Sequence, residues 1–477
     1  MFSTIVKKEM LDHILSVRFA SLLFLCILLV PFSMYVSYQK YLVKYNAYGE
    51  LRNAYERDEG KAYDGRTNPD HFRILRPPSP LSVLVNGLED SLPIYMSVDK
   101  NGIRLGPSAM AEKSVVALFG DIDFLFLVKV IFSLLAVLFA FDLVVGEKET
   151  GTLRAMLAHA LPRGSLIAGK YLSGYLILVV PFILSVGVGL LLISFTGFPL
   201  FSKDILLRVL FMCLVSLLYI SVFFSLGLLI SSCFHRSKTA LLVLLLLWVF
   251  LIFILPKTGY IAAEILRPVQ SDQTIYARKR FVREDIEQEK SAKLRILYKS
   301  ILGSPNSYGG DKSWYERYKN VYLKERNALA KQYQQRLVRE MKKVDDEHHR
   351  KKRGQEQLGL YLSRISPSSC FSYVMSGLAS TGELEKRFYV SAAERYREDM
   401  NREVFSKIWW DTIPGGVGYS GKDEDAPSSD EYPRPSLRTP GLSESLHASL
   451  LDILLLALFN ILFSISSYAA FLRYDVR

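Results

Sequence analysis

The sequence predicts a mainly α-helical integral membrane protein: six transmembrane helices with two extracytoplasmic domains, the first a small α+β fold and the second mostly α-helical. Three observations lead there. Half of the 477 residues are hydrophobic while 22% are charged, a mixture that fits apolar spans alternating with polar domains better than one soluble domain. Six apolar runs reach the ~20 residues that a hydrocarbon layer demands. Lys and Arg gather in the short segments on one side of those runs, which sets an orientation.

The first run, 18–38, follows Lys7, Lys8 and Arg18. No small-x-small cleavage site comes after it, only Ser37-Tyr38-Gln39-Lys40, so it reads as an uncleaved anchor. Ahead of it Phe2, Ile5, Val6, Met10 and Ile14 fall roughly on one helical face. That pattern fits an interfacial helix and equally a plain charged flank. Further runs occupy 124–145, 171–195, 205–233, 239–255 and 448–472. With the N-terminus inside, the inner flanks carry Lys148, Arg154, Arg163, Lys170, Arg236, Lys238, Arg473 and Arg477, while the short loop at 196–204 carries only Lys203. Both termini are then cytoplasmic. The basic character of the long segment after the fifth run counts for little, because long loops cross a membrane largely regardless of charge.

These runs divide the chain into 1–38, 39–122, 123–256, 257–447 and 448–477. In the first polar domain, 39–122, Arg76-Pro77-Pro78-Ser79-Pro80 marks a turn region and Lys100-Asn101-Gly102 a tight turn. Alternation in 94–98 and 102–105 predicts a small hairpin. In the second, 257–447, Trp314, Tyr318, Tyr322, Leu329, Tyr333, Leu337, Met341 and Val344 recur at helical steps as one apolar stripe on a charged helix. A second helix at 276–302 could pair with it, with 303–311 as the turn. The Gly-, Pro- and Ser-rich stretch 415–440 reads as a tether.

The formal charge of +12 suits anionic lipid, and no zinc-finger or RNA-binding signature supports nucleic acid. Cys26, Cys213, Cys233 and Cys370 lie too far from one another, and mostly in apolar runs, for a disulfide framework or a zinc site. His348 and His349 are adjacent, so on a helix they point about 100° apart and make poor co-ligands. Phosphate-loop, nucleophile-elbow and His-Glu-x-x-His patterns are missing, so no catalytic, cofactor or metal residues are expected and the chain itself is not expected to be an enzyme. Two charges, Lys129 and Asp142, fall inside the second run near its ends. Snorkelling explains both, and a place at a subunit interface or substrate path is the other reading.

One stretch is more specific. Gly146-Glu147-Lys148-Glu149-Thr150-Gly151-Thr152-Leu153 closes the second run and continues through Pro162-Arg163 to Gly169-Lys170. It resembles the short cytoplasmic loop of ABC-2 type exporter permeases. Ser366-Pro367-Ser368-Ser369, running into Phe371 and Gly377, and Pro80-Leu81-Ser82 to Gly87-Leu88 are similar to pieces of the subgroup with large extracytoplasmic loops. Ser366-Pro367 also reads as a helix start, and the apolar helix after it as a membrane-surface segment, a cover over a pathway's mouth or an ordinary domain helix. The resemblance implies a permease (membrane) subunit of an export system in the inner membrane, with ATP and Mg held by separate ABC ATPase subunits, and a dimer formed with a second copy or a homologue. The loop 146–170 would then be the coupling element, through Glu147, Lys148, Glu149, Gly151, Thr152, Leu153, Arg154 and Arg163. Acids near a helix N-terminus and a glycine-permitted turn suit a segment that fits a groove on another protein. The large polar domains imply an extracytoplasmic partner or a bulky substrate. The residues leave two other classes open: a mechanotransmission subunit that moves its extracytoplasmic domains without carrying a substrate, and a polytopic scaffold or sensor.

Overall fold

The computed structural model describes residues 7, 10, 17–59, 72–99, 102–108, 122–154, 162–198, 200, 202–303, 312–405, 408–412, 418–422 and 432–473. Most of the N-terminal amphipathic face, the Lys100-Asn101 turn, the 304–311 turn, residues 415–417 and 423–431 of the tether and the middle of the 146–170 loop lie outside these residues. Among the described residues six helical stretches are long and apolar enough to cross a membrane: Phe19–Tyr55, Phe124–Thr150, Arg163–Ser194, Lys203–Cys233, Ser237–Leu266 and Leu442–Leu472. The chain divides into two compact units, Met1–Thr258 with Ser363–Arg477, and Gly259–Leu362.

In the first unit α1, Val17–Glu59, is 43 residues long, about 64 Å at 1.5 Å per residue against ~30 Å of hydrocarbon. It therefore runs on past Tyr38, where the apolar run stops, because only Gly49 interrupts the helix formers from Gln39 to Glu59 and no proline does. Span two starts as a single turn at Phe124, loosens into a π-helical segment at Leu127–Phe132 and tightens into α2, Ser133–Ala140. After a turn it ends in the short α3, Val145–Thr150. Span three is α4, Arg163–Ser194, with Pro181 inside it, and span four is α5, Lys203–Cys233. Span five is α6, Ser237–Val249, a π-helical segment at Phe250–Ile254, and α7, Leu255–Leu266. Span six is α12, Leu442–Leu472.

Each π-helical segment leaves backbone carbonyls without the usual i+4 amide, and side chains take them up. Lys129 O accepts from Ser133 Oγ at 2.6 Å and from Tyr219 Oη at 3.0 Å. Leu251 O accepts from Ser366 Oγ and Ser368 Oγ at 2.5 and 3.1 Å. Those serines start α10, Pro367–Leu378, capped by Ser366 with Pro367 in its first turn. α10 is no surface segment: Cys370, Phe371, Val374, Met375 and Leu378 are buried in the same core as the spans, and Phe371 stacks on Tyr219 with ring centroids 4.2 Å apart.

The sheet of the first polar segment has the order β1-β2-β3, with β1 Phe72–Leu75, β2 Tyr95–Asp99 and β3 Gly102–Leu105, all antiparallel. The hairpin expected at 94–105 is present, and β1 joins its far edge. Phe72, Ile74, Met96 and Val98 point to one face with the two-residue period of a strand, and there they bury Tyr389, Ala393, Tyr396 and Met400 of α11, Glu383–Met400. Residues 79–88 also clasp the turn after α10. Leu88 N donates to Thr381 O at 2.8 Å, Thr381 Oγ1 to Val85 O at 3.1 Å and Ser79 Oγ to Ala379 O at 2.7 Å. Gly87, at φ +51°, sits so close that a Cβ there would meet Thr381 Oγ1 at 2.5 Å. A two-stranded ribbon, β4 Ile408–Thr412 with β5 Gly418–Lys422, follows.

The second unit is an antiparallel helical hairpin. α8, Asp272–Leu302, ends at Gly303 with φ +78°, and α9, Leu323–Ser363, returns alongside it. Ile286 packs with Tyr333, Leu337 and Met341 of the predicted stripe. Glu289 accepts from Tyr333 Oη at 2.8 Å and Arg336 Nη1 at 2.7 Å, and nearer the hairpin base Asp272 meets His348 at 3.2 Å. His348 is therefore held by a carboxylate of the neighbouring helix. Among the described residues no group of three or more His, Cys, Asp or Glu could hold a metal ion.

Candidate functional site

The described part of the loop after span two folds back against the ends of four other spans. α3 is two turns shorter than a self-supporting helix, so it depends on its neighbours. Its first amides, Val144 N and Val145 N, both donate to Ser231 Oγ at 3.0 Å, which satisfies two orphan donors of a helix start. Lys148 Nζ reaches the carbonyls of Ser232 and Phe234, so a cation lies on the C-terminal end of α5, where the helix dipole favours it. Glu147 Oε1 pairs with Lys170 Nζ at 2.6 Å, and the Lys170 side chain is only 2% exposed. A buried ammonium without such a partner would be costly, so this ion pair holds α3 against α4.

A single hydroxyl lies between the two acids on the other side: Ser237 Oγ is 2.7 Å from Glu149 Oε2 and 3.0 Å from Asp142 Oδ1, and its one proton serves one of them at a time. Asp142 and Gly146 stand one turn apart, and a Cβ at 146 would lie 2.5 Å from Asp142 Oδ1. Gly151 ends α3 in the left-handed region at φ +77°, a conformation that costs other residues about 1 kcal/mol. The turn drops Leu153 into the core, fully buried, while Glu149, Thr150, Thr152 and Arg154 stay exposed. Beyond residues 155–161 the chain re-enters at Pro162, and Arg163 Nη1 donates to Leu472 O at 2.8 Å, at the end of α12.

The sequence-predicted residues thus separate into two sets. Glu147, Lys148, Leu153, Arg163 and Asp142 are turned inward and tie the loop to α4, α5, α6 and α12. Glu149, Thr152 and Arg154 face outward around Gly151. Lys129 belongs to neither: it sits half-buried in the π-helical segment of span two, away from the loop. Sequence reasoning missed the serines at 231, 232 and 237, since a serine near a helix end has no period or charge to mark it. Lys170 was visible as part of Gly169-Lys170, but a lysine opening an apolar helix looks like an ordinary flank.

A second missed site lies at the opposite end of α5. Arg208 is almost fully buried. It pairs with Asp204 at 2.8 Å and donates to Leu378 O at 2.9 Å, Pro440 O at 2.7 Å, Ser380 Oγ at 3.1 Å and Ser445 Oγ at 3.4 Å. Partway along α12, Asp452 accepts from Arg364 Nε and Nη2 at 2.7 and 3.1 Å. An arginine and an aspartate inside apolar runs were the available signals.

The family described as ABC-2 family transporter protein matches residues 3–476. The chain belongs to the ABC-2 transporter family. It is also similar to a probable ABC transporter permease protein, NosY, of Pseudomonas aeruginosa, at 44% identity over 54 residues. That likeness spans 11% of this chain and 20% of NosY. Membership of the ABC-2 family agrees with the six spans and with the resemblance carried by residues 146–170.

Proposed function

We propose that this ABC-2 chain is the permease subunit of an ATP-driven export system, with ATP and Mg bound and hydrolysed on separate ABC ATPase subunits that seat against α3 and the turn at Gly151. The observation that carries this reading is the construction of the loop. A short helix and a left-handed turn present Glu149, Thr152 and Arg154 outward, while Ser231, Lys170 and Leu472 O fix their base to three spans. Force applied to such a knob passes into the bundle rather than bending the loop. The excess of Lys and Arg on the flanks of the spans at this end supports a cytoplasmic position for it and for both termini, with the two polar segments on the other side of an inner membrane. A second permease copy or homologue completes the membrane part.

The test is to purify the full chain in mild detergent from its native membrane and identify what accompanies it. An ATPase with a phosphate-binding loop, in a fixed ratio to the chain, is the expected result. The double variant Glu149→Lys, Arg154→Glu should lose that ATPase while its melting temperature stays put, because both side chains are exposed. Intact, folded protein without any ATPase, or a double variant that keeps it, refutes the docking site.

A further inference from the structure

Four of the six spans are interrupted inside their apolar stretch. α1 holds Pro31 and α4 holds Pro181, and spans two and five contain the π-helical segments at Leu127–Phe132 and Phe250–Ile254. Proline and π-helical turns break the hydrogen-bond ladder and are where helices bend. α5 and α12 have neither: each is an unbroken α-helix of 31 residues, about 46 Å long.

These two helices run parallel, joined at three rungs whose sequence offsets are 239, 239 and 235. Asn460 Nδ2 donates to Ser221 Oγ, Ser464 Oγ to Ser225 Oγ at 3.2 Å, and Ser232 and Ser467 share a bond of 3.4 Å. In an apolar surrounding such side-chain bonds hold helices in register. At one end the pair carries the loop: Ser231 Oγ takes the Val144 and Val145 amides, Lys148 takes the last carbonyls of α5, and Arg163 takes the last carbonyl of α12. At the other end Arg208 ties α5 to Ser445 and Pro440 at the start of α12, and to Leu378 and Ser380 in the turn clasped by residues 79–88.

We infer that α5 and α12 act together as a rigid strut that carries displacement of the 145–163 loop to the outer polar segments, with Ser231 and Arg208 as the positioning residues at its two ends. The inference rests on the reading of that loop as the ATPase contact. The interrupted spans flex, and the strut does not, so the outer segments shift relative to the far end of α4, which has Pro181 between its two ends. Two bonded helices resist bending more than either alone. The ends are pinned by charge-assisted or doubly accepted bonds, so a push is not lost at a loose joint.

The experiment uses the full chain with its co-purified ATPase in lipid nanodiscs. Spin labels at Leu105→Cys and Phe195→Cys, both highly exposed, with Cys233→Ser removing the exposed native thiol, report the distance between sheet and α4 end. It is measured without nucleotide and after trapping with ATP, Mg and orthovanadate. The wild-type background should show a nucleotide-dependent shift of several Å. Arg208→Gln, remote from the docking loop, should cut that shift at least by half while still binding the ATPase, with Arg208→Lys intermediate, and Ser231→Ala should cut it in the complex that this variant retains. A merely structural role would move both distances and leave their difference unchanged. If Arg208→Gln does not fold, Ser231→Ala decides the matter. An unchanged shift in folded Ser231→Ala and Arg208→Gln overturns the strut, as does a wild-type complex that binds ATPase yet shows no shift. Failure to bind any ATPase overturns instead the loop reading beneath it, and shows at the purification step before any distance is measured.

Discussion

Glu385 should make the joint between the three-stranded sheet and α11 stiffer in acid than in base. It lies in the first turn of α11, 8% exposed, where the sheet and α11 meet. Burial is the main cause that raises its carboxyl from 4.5 to about 7. Arg76 and Arg208 pull it back down, and Glu89 adds to the rise. The folded-state value lies above the unfolded one, so between pH 4.5 and about 7 the folded form holds a proton that the unfolded form releases. Stability from this group is therefore complete below about 4.5, falls as pH rises through that window, and is level above it. At about 1.4 kcal/mol per pH unit the interval amounts to ~3 kcal/mol. Glu385→Gln keeps the shape and removes the titration. Amide exchange, corrected for its intrinsic pH dependence, should be roughly 100-fold slower in Glu385→Gln than in wild type at pH 8 across β1, β2 and α11. At pH 5 the gap should shrink to a few-fold. Equal protection at pH 8 would refute the reasoning, since it would mean that the ionised carboxyl pays no desolvation cost in this joint.

Two other perturbations test the ion pairs. Glu147→Lys sets two ammoniums face to face and should cost ~3–5 kcal/mol of local stability, releasing the ATPase from the purified complex; the swap Glu147→Lys, Lys170→Glu should restore it, and a swap as defective as the single change counts against the pairing. Asp452→Asn leaves the Arg364 guanidinium without its carboxylate and should lower the detergent melting temperature by several degrees, whereas Asp452→Leu with Arg364→Met should recover most of the loss, as read by intrinsic fluorescence during heating.

The spans were legible because membrane-crossing helices advertise themselves by length and composition, and the 94–105 hairpin and the apolar stripe ending at Val344 because their periods are short. The loop at Gly146 was legible as a pattern of residue types. Which of its acids face inward was not: Glu147 and Glu149 are two residues apart and look alike, and only the positions of Lys170 and Ser237, brought in by other helices, assign them different partners. α10 was read correctly as a helix start at Ser366 but its burial was hidden, because the carbonyl of Leu251 that receives its serines exists only once span five has taken its π-helical turn. Arg208 went unread in the sequence, because its four further contacts come from residues 378, 380, 440 and 445, far along the chain.

The clasp between residues 79–88 and 376–381 has a consequence for biosynthesis. The sheet's apolar face and the pocket for Gly87 are completed by residues made roughly 300 positions later. At ~5–20 residues per second the first polar segment waits some 15–60 seconds with Phe72, Ile74, Met96 and Val98 uncovered. Closure of the joint is therefore a late event, and a ribosome that stalls before α11 leaves a nascent chain with a sticky, half-finished sheet.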